Sequence, residues 1–422
     1  MSLLLILPMA LPISAAPTPP SLEDVSSAYL YCFESDKVIL SKSAQEAIFP
    51  AATAKIMTGL LAAELLDTRL DEKITVTSAM LAASGGTSMP IKAGDSYTIR
   101  DIYYAAVLGG FNDAVSVIAY LSGDGIEGFV TLMNERARAL GAKSTHFTNP
   151  TGKHDENMVS TLSDIAKIAC EASKNQLYME ASSASAFTLT DGFIIRNRNG
   201  LIGSFYAAGY YNRFARGLVA GDTSENGFSV ASVAEYDGLT FLVIVNAPDK
   251  DAAYFTANEL FDFAFYHYGP LTVIDGGKTL MQTPLSLSLG ADGDEVYLLD
   301  LIAPEDVTLY LSYDRNSLST LEIRPYIFGN TVKAPVKEGD LLGGADIYID
   351  GVLIGSTDLV ASESVSANPF LLILSAAKDY FLGRAFIISL IIFTVLLAIY
   401  YYVFEIKLRR TRAKKYKIKN IY

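Results

Sequence analysis

Twenty residues near the C-terminus, Ala385 to Phe404, contain no charged side chain and are rich in isoleucine, leucine, phenylalanine and valine. An apolar run of this length matches the roughly 20 residues that a helix needs to cross a bilayer. Three tyrosines, residues 400–402, lie where an aromatic belt is expected at the membrane surface. The sequence therefore predicts a transmembrane helix at residues 385–404, with the rest of the chain divided between the two sides.

The tail after this helix, residues 405–422, contains eight lysines and arginines. Positive charge beside a span marks the cytoplasmic side, so the domains before the span are expected outside the cell. Nucleic-acid binding is the alternative explanation of a basic tail, but a tail that flanks a membrane does not need that role. The prediction is a single-pass protein of the cell membrane, with extracellular N-terminal domains and a cytoplasmic basic tail.

The first 16 residues form an apolar run that ends in Ser-Ala-Ala and is followed by a proline-rich stretch, residues 17–20. This arrangement is typical of a secretory signal peptide with its cleavage region. An ordinary buried strand or helix is the alternative. A cleaved signal peptide at residues 1–16 agrees with the outward orientation that the basic tail predicts.

The remaining composition argues against several kinds of site. The chain carries a formal net charge of −13 although its tail is basic, so the outer part is not suited to bind anionic polymers by charge. Cys32 and Cys170 are too few for a disulfide framework and lie in apolar surroundings, which favours buried free thiols. His146, His154 and His267 lack metal-ligand spacing. We therefore expect no metal, no cofactor and no nucleic-acid partner.

An apolar helix is predicted at residues 52–67, because Pro50 suits a helix entry and leucines recur at helical spacing. Lys55 lies in its first turn. A lysine in an apolar helix is unusual, since its charge needs a polar partner when it is buried. Lys55 is therefore a candidate functional residue.

Residues 50–55, Pro-Ala-Ala-Thr-Ala-Lys, resemble the Pro-Ala-Ser-x-x-Lys that opens this helix in the D-alanyl-D-alanine carboxypeptidases, the low-molecular-mass penicillin-binding proteins. In that family the serine attacks the peptide carbonyl and the lysine is the general base. Lys55 is retained here, whereas the position of the nucleophile is Ala52. The resemblance thus implies the location of an active site whose nucleophile has been replaced.

The family's second motif, Ser-Gly-Asn-Asp-Ala, is similar to residues 110–114, Gly-Phe-Asn-Asp-Ala. The resemblance implies that its serine relays protons and that its asparagine orients the lysine and the substrate amide. Asn112 is retained, but Gly110 stands at the serine position and has no hydroxyl.

The third motif, Lys-Thr-Gly, holds the substrate carboxylate from a strand, and its counterpart here is Val219-Ala220-Gly221. Only Gly221 is retained, and the following Asp222 adds a negative charge close to the expected position of the substrate carboxylate. Arg216 is not expected to replace the lost lysine, because an offset of three places it on the opposite face of a regular strand. These four residues, 219–222, therefore form a degenerate substrate-binding strand.

Two further segments match the family: residues 146–152 read His-Phe-Thr-Asn-Pro-Thr-Gly, and residues 160–166 read Ser-Thr-Leu-Ser-Asp-Ile-Ala. We interpret them as a tight loop and a capped helix. His146 is not expected to be a catalytic base, because no residues near it in the sequence form a triad with it.

The resemblance implies an α+β fold of the β-lactamase/DD-peptidase type, in which an antiparallel five-stranded sheet is flanked by helices and joined by an all-α lobe. A small all-β domain is expected next, on the family-like signature Ala-Pro-Val-Lys at residues 334–337. The expected boundaries are 25–269 for the carboxypeptidase-like domain, 271–362 for the β domain and 368–384 for a juxtamembrane helix.

Four replaced side chains in three motifs predict a catalytically inactive homologue, a pseudoenzyme that binds or scaffolds at the cell wall. Its expected partners are peptidoglycan stem peptides or cell-wall proteins, and the lipid bilayer through the C-terminal helix. The alternative is an active serine-type carboxypeptidase that trims the terminal D-alanine with another nucleophile, such as Thr53. Against this, Thr53 lies about 100° around the helix from Ala52.

Overall fold

The computed structural model describes residues 18–203, 209–223, 227–286, 297–312, 318–329, 331–366, 373, 377, 381 and 384–419. Two compact units are present. The first extends to Leu271, and the second takes up the chain from Thr272, apart from residues 309–318, which belong to the first.

The first unit is built on a five-stranded antiparallel sheet in the order β2-β1-β9-β8-β7. Its strands are β1 (Ser27–Cys32), β2 (Lys37–Lys42), β7 (Ala215–Thr223), β8 (Gly227–Tyr236) and β9 (Leu239–Ala247). Alternate residues of β9 enter two different cores, with Leu242 and Ile244 in one and Val243 and Val245 in the other. Both faces of the sheet are therefore covered, which explains why β9 is almost continuously hydrophobic. The predicted five-stranded sheet is confirmed.

Helices cover the two faces. They are α1 (Ala54–Leu66), α2 (Ile99–Val107), α3 (Asn112–Ser122), α4 (Gly125–Ala139), α5 (Leu162–Ala172), α6 (Gln176–Ser183) and α7 (Lys250–His267). Helix α1 contacts α2, α3, α4, α5 and α6, and most of its residues are buried. A helix that is apolar on every side is stable only when other elements surround it, and α1 is placed accordingly. Helix α7 contacts β8 and β9.

Short strands pair beside these helices: β3 (Lys73–Thr75) with β4 (Ser96–Thr98), and β5 (Ala186–Thr188) with β6 (Ile194–Arg196). Thr98 then caps α2, because its side chain accepts from the backbone N–H of Asp101 while the Asp101 carboxylate accepts from that of Thr98. Thr98 and Asp101 thus form a capping box at the start of α2.

Helix α7 begins at Lys250. Asp249 is its N-cap, and the Asp249 side chain accepts a hydrogen bond of 2.9 Å from the backbone N–H of Ala252. An aspartate at this position satisfies one of the unpaired N–H groups of the first turn.

The second unit contains a six-stranded sheet in the order β14-β16-β17-β12-β11-β15. A separate two-stranded sheet pairs β10 with β13, and each of these two strands has residues in both units. The strands are β10 (Tyr268–Ile274), β11 (Thr279–Ser286), β12 (Tyr297–Ile302), β13 (Val307–Ser312), β14 (Glu322–Ile327), β15 (Val332–Lys333), β16 (Leu341–Ile349) and β17 (Val352–Ala361). Asp350 and Gly351 turn β16 into β17, both with positive φ, as a tight hairpin requires. The all-β character predicted for this part of the chain is confirmed.

The last helix, α8 (Arg384–Lys419), contains a stretch from Phe386 to Thr411 that is long and apolar enough to cross a membrane. The transmembrane helix predicted at residues 385–404 falls almost entirely within this stretch. The signal peptide predicted at residues 1–16 lies outside the described residues. So does most of the juxtamembrane helix predicted at residues 368–384.

Candidate functional site

The opening of α1 places Ala52 against the sheet. Pro50 precedes a turn of 3₁₀ helix, Ala51–Thr53, in which Ala52 is buried. A Cβ atom added to Gly221 of β7 would lie only 2.8 Å from the Ala52 Cβ. The first and third motifs thus meet at Ala52 and Gly221, and there is room for little more than hydrogen at position 221.

Lys55 lies one helical turn after Ala52 and is half-buried. Its Nζ donates a 2.8 Å hydrogen bond to the backbone carbonyl of Gly110. Burial and, to a smaller extent, the nearby cation of Arg198 lower the pKa of Lys55 to about 7, while the Asp222 carboxylate acts in the opposite direction. Lys55 therefore connects the first motif to the second through a main-chain acceptor.

Gly110 lies beside Lys55 and Arg198. Its φ is +63°, a backbone conformation that glycine adopts without strain. A Cβ atom at this position would lie 3.4 Å from the Arg198 Cδ and 3.9 Å from the Lys55 Nζ. A side chain at residue 110 would thus contact both cations, and the glycine leaves that space open.

Asn112 and Asp113 begin α3 and hold the loop of residues 85–91. The Asn112 Nδ2 donates to the carbonyl of Gly85 at 2.5 Å, while its buried Oδ1 accepts no hydrogen bond among the described residues. The Asp113 carboxylate accepts from the backbone N–H groups of Met89 and Ile91. The role of Asp113 is therefore structural.

Replacing Asp113 with alanine should destabilise the protein by about 3–5 kcal/mol, because buried N–H groups of residues 89 and 91 lose their acceptor. The measurement is urea-induced unfolding followed by circular dichroism. Asp71→Ala is the matched control, since it removes an exposed carboxylate that pairs with Arg100. A loss of stability no greater than that of the control would contradict the structural role.

The third motif offers neither a cation nor a hydroxyl. On β7, Val219 is opposite Ala231 and Ala220 is opposite Val230. Val219 is buried in the core that contains Ala52, and Ala220 is buried in the core on the other face of the sheet. The strand therefore presents an apolar wall beside the position of the nucleophile.

Arg216 does not replace the missing lysine, although the argument from strand alternation was incomplete. The register shifts between Arg216 and Val219, so the simple two-residue period does not hold there. The Arg216 guanidinium donates to the carbonyls of Ala215 and Arg213, at 3.0 and 3.4 Å. Arg216 is thus engaged by its own stretch of chain.

Sequence reasoning missed Arg198, which lies beside Gly110 and Gly221. We refer to the region between Ala52, Lys55, Gly110, Gly221 and Arg198 as the cleft. The Arg198 Nη2 lies 2.9 Å from the Asp222 Oδ1, and the Arg198 backbone N–H donates to the carbonyl of Leu108 at 3.1 Å. The flanking asparagines fix this loop, since the Asn197 Nδ2 donates to the carbonyl of Ser182 and the Asn199 Nδ2 to that of Gly217. The only signal in the sequence is the pattern Asn-Arg-Asn-Gly, in which two buried amides bracket an arginine.

The alternative nucleophile, Thr53, is buried, and its hydroxyl donates to the carbonyl of Pro50. It therefore does not stand free beside Lys55.

The loop of residues 145–152 packs against α1 and the turn that precedes it. Gly152 has φ +72°, and a Cβ atom there would lie 1.9 Å from the carbonyl oxygen of Ala51. The Thr58 hydroxyl donates to the carbonyl of Pro150 at 2.7 Å. Thr161 caps α5 by accepting from the backbone N–H of Asp164, and His146 is exposed on an isolated bridge to Val159. These contacts indicate that both family-like segments have a structural role.

Within the described part of the chain, no group of three or more His, Cys, Asp or Glu side chains is arranged to hold a metal ion. Cys32 and Cys170 are free thiols, the first buried and the second half-buried. Burial raises the pKa of Cys170 to about 12, so this thiol is held in its unreactive protonated form.

Comparison with known proteins identifies relatives over both units. The family model for D-alanyl-D-alanine carboxypeptidase matches residues 15–248, and the model for the C-terminal domain of penicillin-binding protein 5 matches residues 290–367. The D-alanyl-D-alanine carboxypeptidase DacF of Bacillus subtilis is 26% identical over 360 residues, which cover 82% of this chain and 87% of that protein.

Solved structures agree at the level of the fold. Penicillin-binding protein 5 of Haemophilus influenzae is similar with a TM-score of 0.61 at 20% identity, covering 83% of this chain and 99% of that one. Penicillin-binding protein 6B of Escherichia coli gives a TM-score of 0.61 at 19% identity, covering 82% and 97%.

Proposed function

We propose, because this chain belongs to the D-alanyl-D-alanine carboxypeptidase family, that it is a membrane-anchored extracellular homologue that binds peptidoglycan stem peptides without hydrolysing them. In this role the protein would bind or scaffold at the cell wall. The observation that carries the proposal is the methyl group of Ala52 at the position where the family places its nucleophile.

The surroundings of Ala52 support the same conclusion. A general base must lie within hydrogen-bonding reach of the group whose proton it takes. Lys55 instead donates to the main-chain carbonyl of Gly110, and neither Ala52 nor Gly110 supplies a hydroxyl for it to deprotonate. Lys55, the family's general base, is therefore retained, but the first and second motifs supply no hydroxyl group for it to deprotonate.

Binding of a peptide is supported by what the cleft retains. The relatives are named as carboxypeptidases that act on D-alanyl-D-alanine, so a peptide end of this kind is the proposed ligand. Asn112 keeps a buried Oδ1 for which the described residues provide no donor, and we propose that a backbone N–H of a bound peptide donates to it. The lack of a nucleophile does not remove this contact.

The second candidate is the active carboxypeptidase, and one observation favours it. A lysine with a pKa of about 7 is well suited to general base catalysis near neutral pH. The hydroxyl of the candidate nucleophile Thr53, however, donates its hydrogen bond to the carbonyl of Pro50 and not to Lys55.

The binding proposal is tested with the full chain in detergent micelles and a soluble muropeptide that carries a stem pentapeptide. Calorimetric titration should give saturable binding, and the recovered peptide should retain both D-alanines. The same muropeptide with its stem removed is the control ligand. Absence of saturation at millimolar muropeptide would reject stem-peptide binding.

The proposed orientation rests on the eight cations of residues 405–422. Protease added to intact protoplasts should digest most of the protein and spare a small C-terminal fragment that contains α8. Antibodies against the tail and against the first unit would distinguish the fragments on a blot. Protection of residues 100–260 in intact protoplasts, with digestion after lysis, would place that unit inside.

A further inference from the structure

We infer that the cleft prefers a peptide whose C-terminal carbonyl is in an amide linkage over one that ends in a free carboxylate. The inference rests on the proposed function, because it names the class of stem peptide that this site takes. Its basis is the ion pair between Arg198 and Asp222, which lies beside Ala52 and Gly221.

The guanidinium of Arg198 lies across the cleft from the second motif to the third. Its Cδ is 3.4 Å from the position of a Cβ on Gly110, and its Nε is 3.9 Å from the position of a Cβ on Gly221. At its far end, Nη2 is 2.9 Å from the Asp222 Oδ1. The cation therefore lies where it could meet a ligand carboxylate, but Asp222 already occupies it.

The two partners differ in exposure. The Asp222 side chain is 66% exposed, whereas that of Arg198 is 32% exposed. A ligand that arrives from solvent thus meets the carboxylate of Asp222 more readily than the guanidinium. A free carboxylate would be repelled there, or would have to displace Asp222 from Arg198.

The neighbouring strand does not compensate for this repulsion, because the two positions before Gly221 are the buried, apolar Val219 and Ala220. Lys55, the other cation of this cleft, is engaged by the carbonyl of Gly110. An amide presents no charge to Asp222, and its N–H group can donate to the Asp222 carboxylate. The ion pair and the apolar strand therefore favour a neutral amide end, such as a D-alanine that is cross-linked to a second peptide.

The test compares two acetylated Lys-D-Ala-D-Ala peptides, one with a free C-terminal carboxylate and one with a C-terminal carboxamide. Fluorescence polarisation of labelled peptides gives Kd for the full chain in detergent, at low and high salt. The variants are Asp222→Asn, Arg198→Gln and the control Asp71→Asn, which removes the acid of an ion pair between Arg100 and the turn before β3. Thermal melts establish that each variant is folded.

For the wild type and the control, the carboxamide should bind on the order of twofold to fivefold tighter, as expected for charges that are partly exposed. High salt should narrow this difference. Asp222→Asn should abolish the preference, because the charge that repels a free carboxylate is removed. Arg198→Gln should increase the preference for the amide, because Asp222 is left unpaired.

A wild-type preference for the carboxylate would overturn the inference, and so would an Asp222→Asn variant that behaves as the control does. If the proteins bind the peptides but the wild type and all variants show the same preference, the proposed function stands and only this inference is rejected. Failure of every folded variant to bind either peptide rejects both.

Discussion

Incubated with a pentapeptide that ends in D-Ala-D-Ala, the protein is expected to release no D-alanine, and incubated with penicillin it is expected to form no adduct. The methyl group of Ala52 cannot attack a carbonyl, and loss of the nucleophile in comparable serine enzymes lowers the rate about a million-fold. Amino-acid analysis of released D-alanine and intact-protein mass spectrometry after penicillin treatment measure the two outcomes.

Thr53→Val is the informative control for this prediction. Removing the hydroxyl of Thr53, which donates to the carbonyl of Pro50, should leave both null results unchanged. A penicillin adduct on any cleft residue of the wild type would show that catalytic chemistry remains. An adduct that disappears in Thr53→Val would identify Thr53 as the nucleophile and restore the active-enzyme alternative.

The second large effect is expected when the missing side chains are returned together. Ala52→Ser alone places a hydroxyl one turn before Lys55, and the resemblance to the family implies that the backbone N–H groups of residues 52 and 222 could form an oxyanion hole, which needs no side chain. The substrate carboxylate would still meet the apolar Val219 and the acid of Asp222. A lost charge-assisted contact is worth about 1.5–3 kcal/mol. The single change should therefore give at most weak penicillin labelling and negligible turnover.

Adding Gly110→Ser, Val219→Lys and Ala220→Thr should raise kcat/KM by far more than the separate changes combined, because residues that act as a unit are strongly non-additive. Serine at position 110 must adopt a φ of +63°, at a cost of about 1–2 kcal/mol, so the melting temperature is measured alongside. If Ala52→Ser alone reaches the turnover of the quadruple variant, carboxylate recognition does not depend on the β7 strand.

Local signals predicted much of the fold. The apolar helix that contains Lys55 and the long apolar stretch near the C-terminus are local patterns, and each occurs as a helix in the structure. Long-range pairing of the five sheet strands came from the resemblance, since neighbours such as β1 and β9 are some 200 residues apart in the chain. The resemblance also led us to expect that the three motifs, which are far apart in the sequence, lie in one domain, and they meet around Ala52, Lys55 and Gly221.

The cleft's electrostatics could not be predicted in this way. Arg198 meets Asp222 only because a loop held by Asn197 and Asn199 brings it to the edge of β7. The shift of register near Arg216 has no marker in the sequence apart from a glycine, residue 217. Both depend on packing between segments that are distant in the sequence, which neither propensity nor spacing encodes.

The close approach of Gly152 to the carbonyl of Ala51 has a consequence for how homology is used to assign activity. A substitution at residue 152 would collide with the main chain whether or not the neighbouring residue 52 is a nucleophile. Selection for a folded protein alone would therefore preserve this glycine, and with it the loop motif that enzymes of the family share. If activity were assigned from the number of matched motif residues, such a chain would be described as an active enzyme even after its nucleophile had been lost. The identity of residue 52 is therefore more informative about activity.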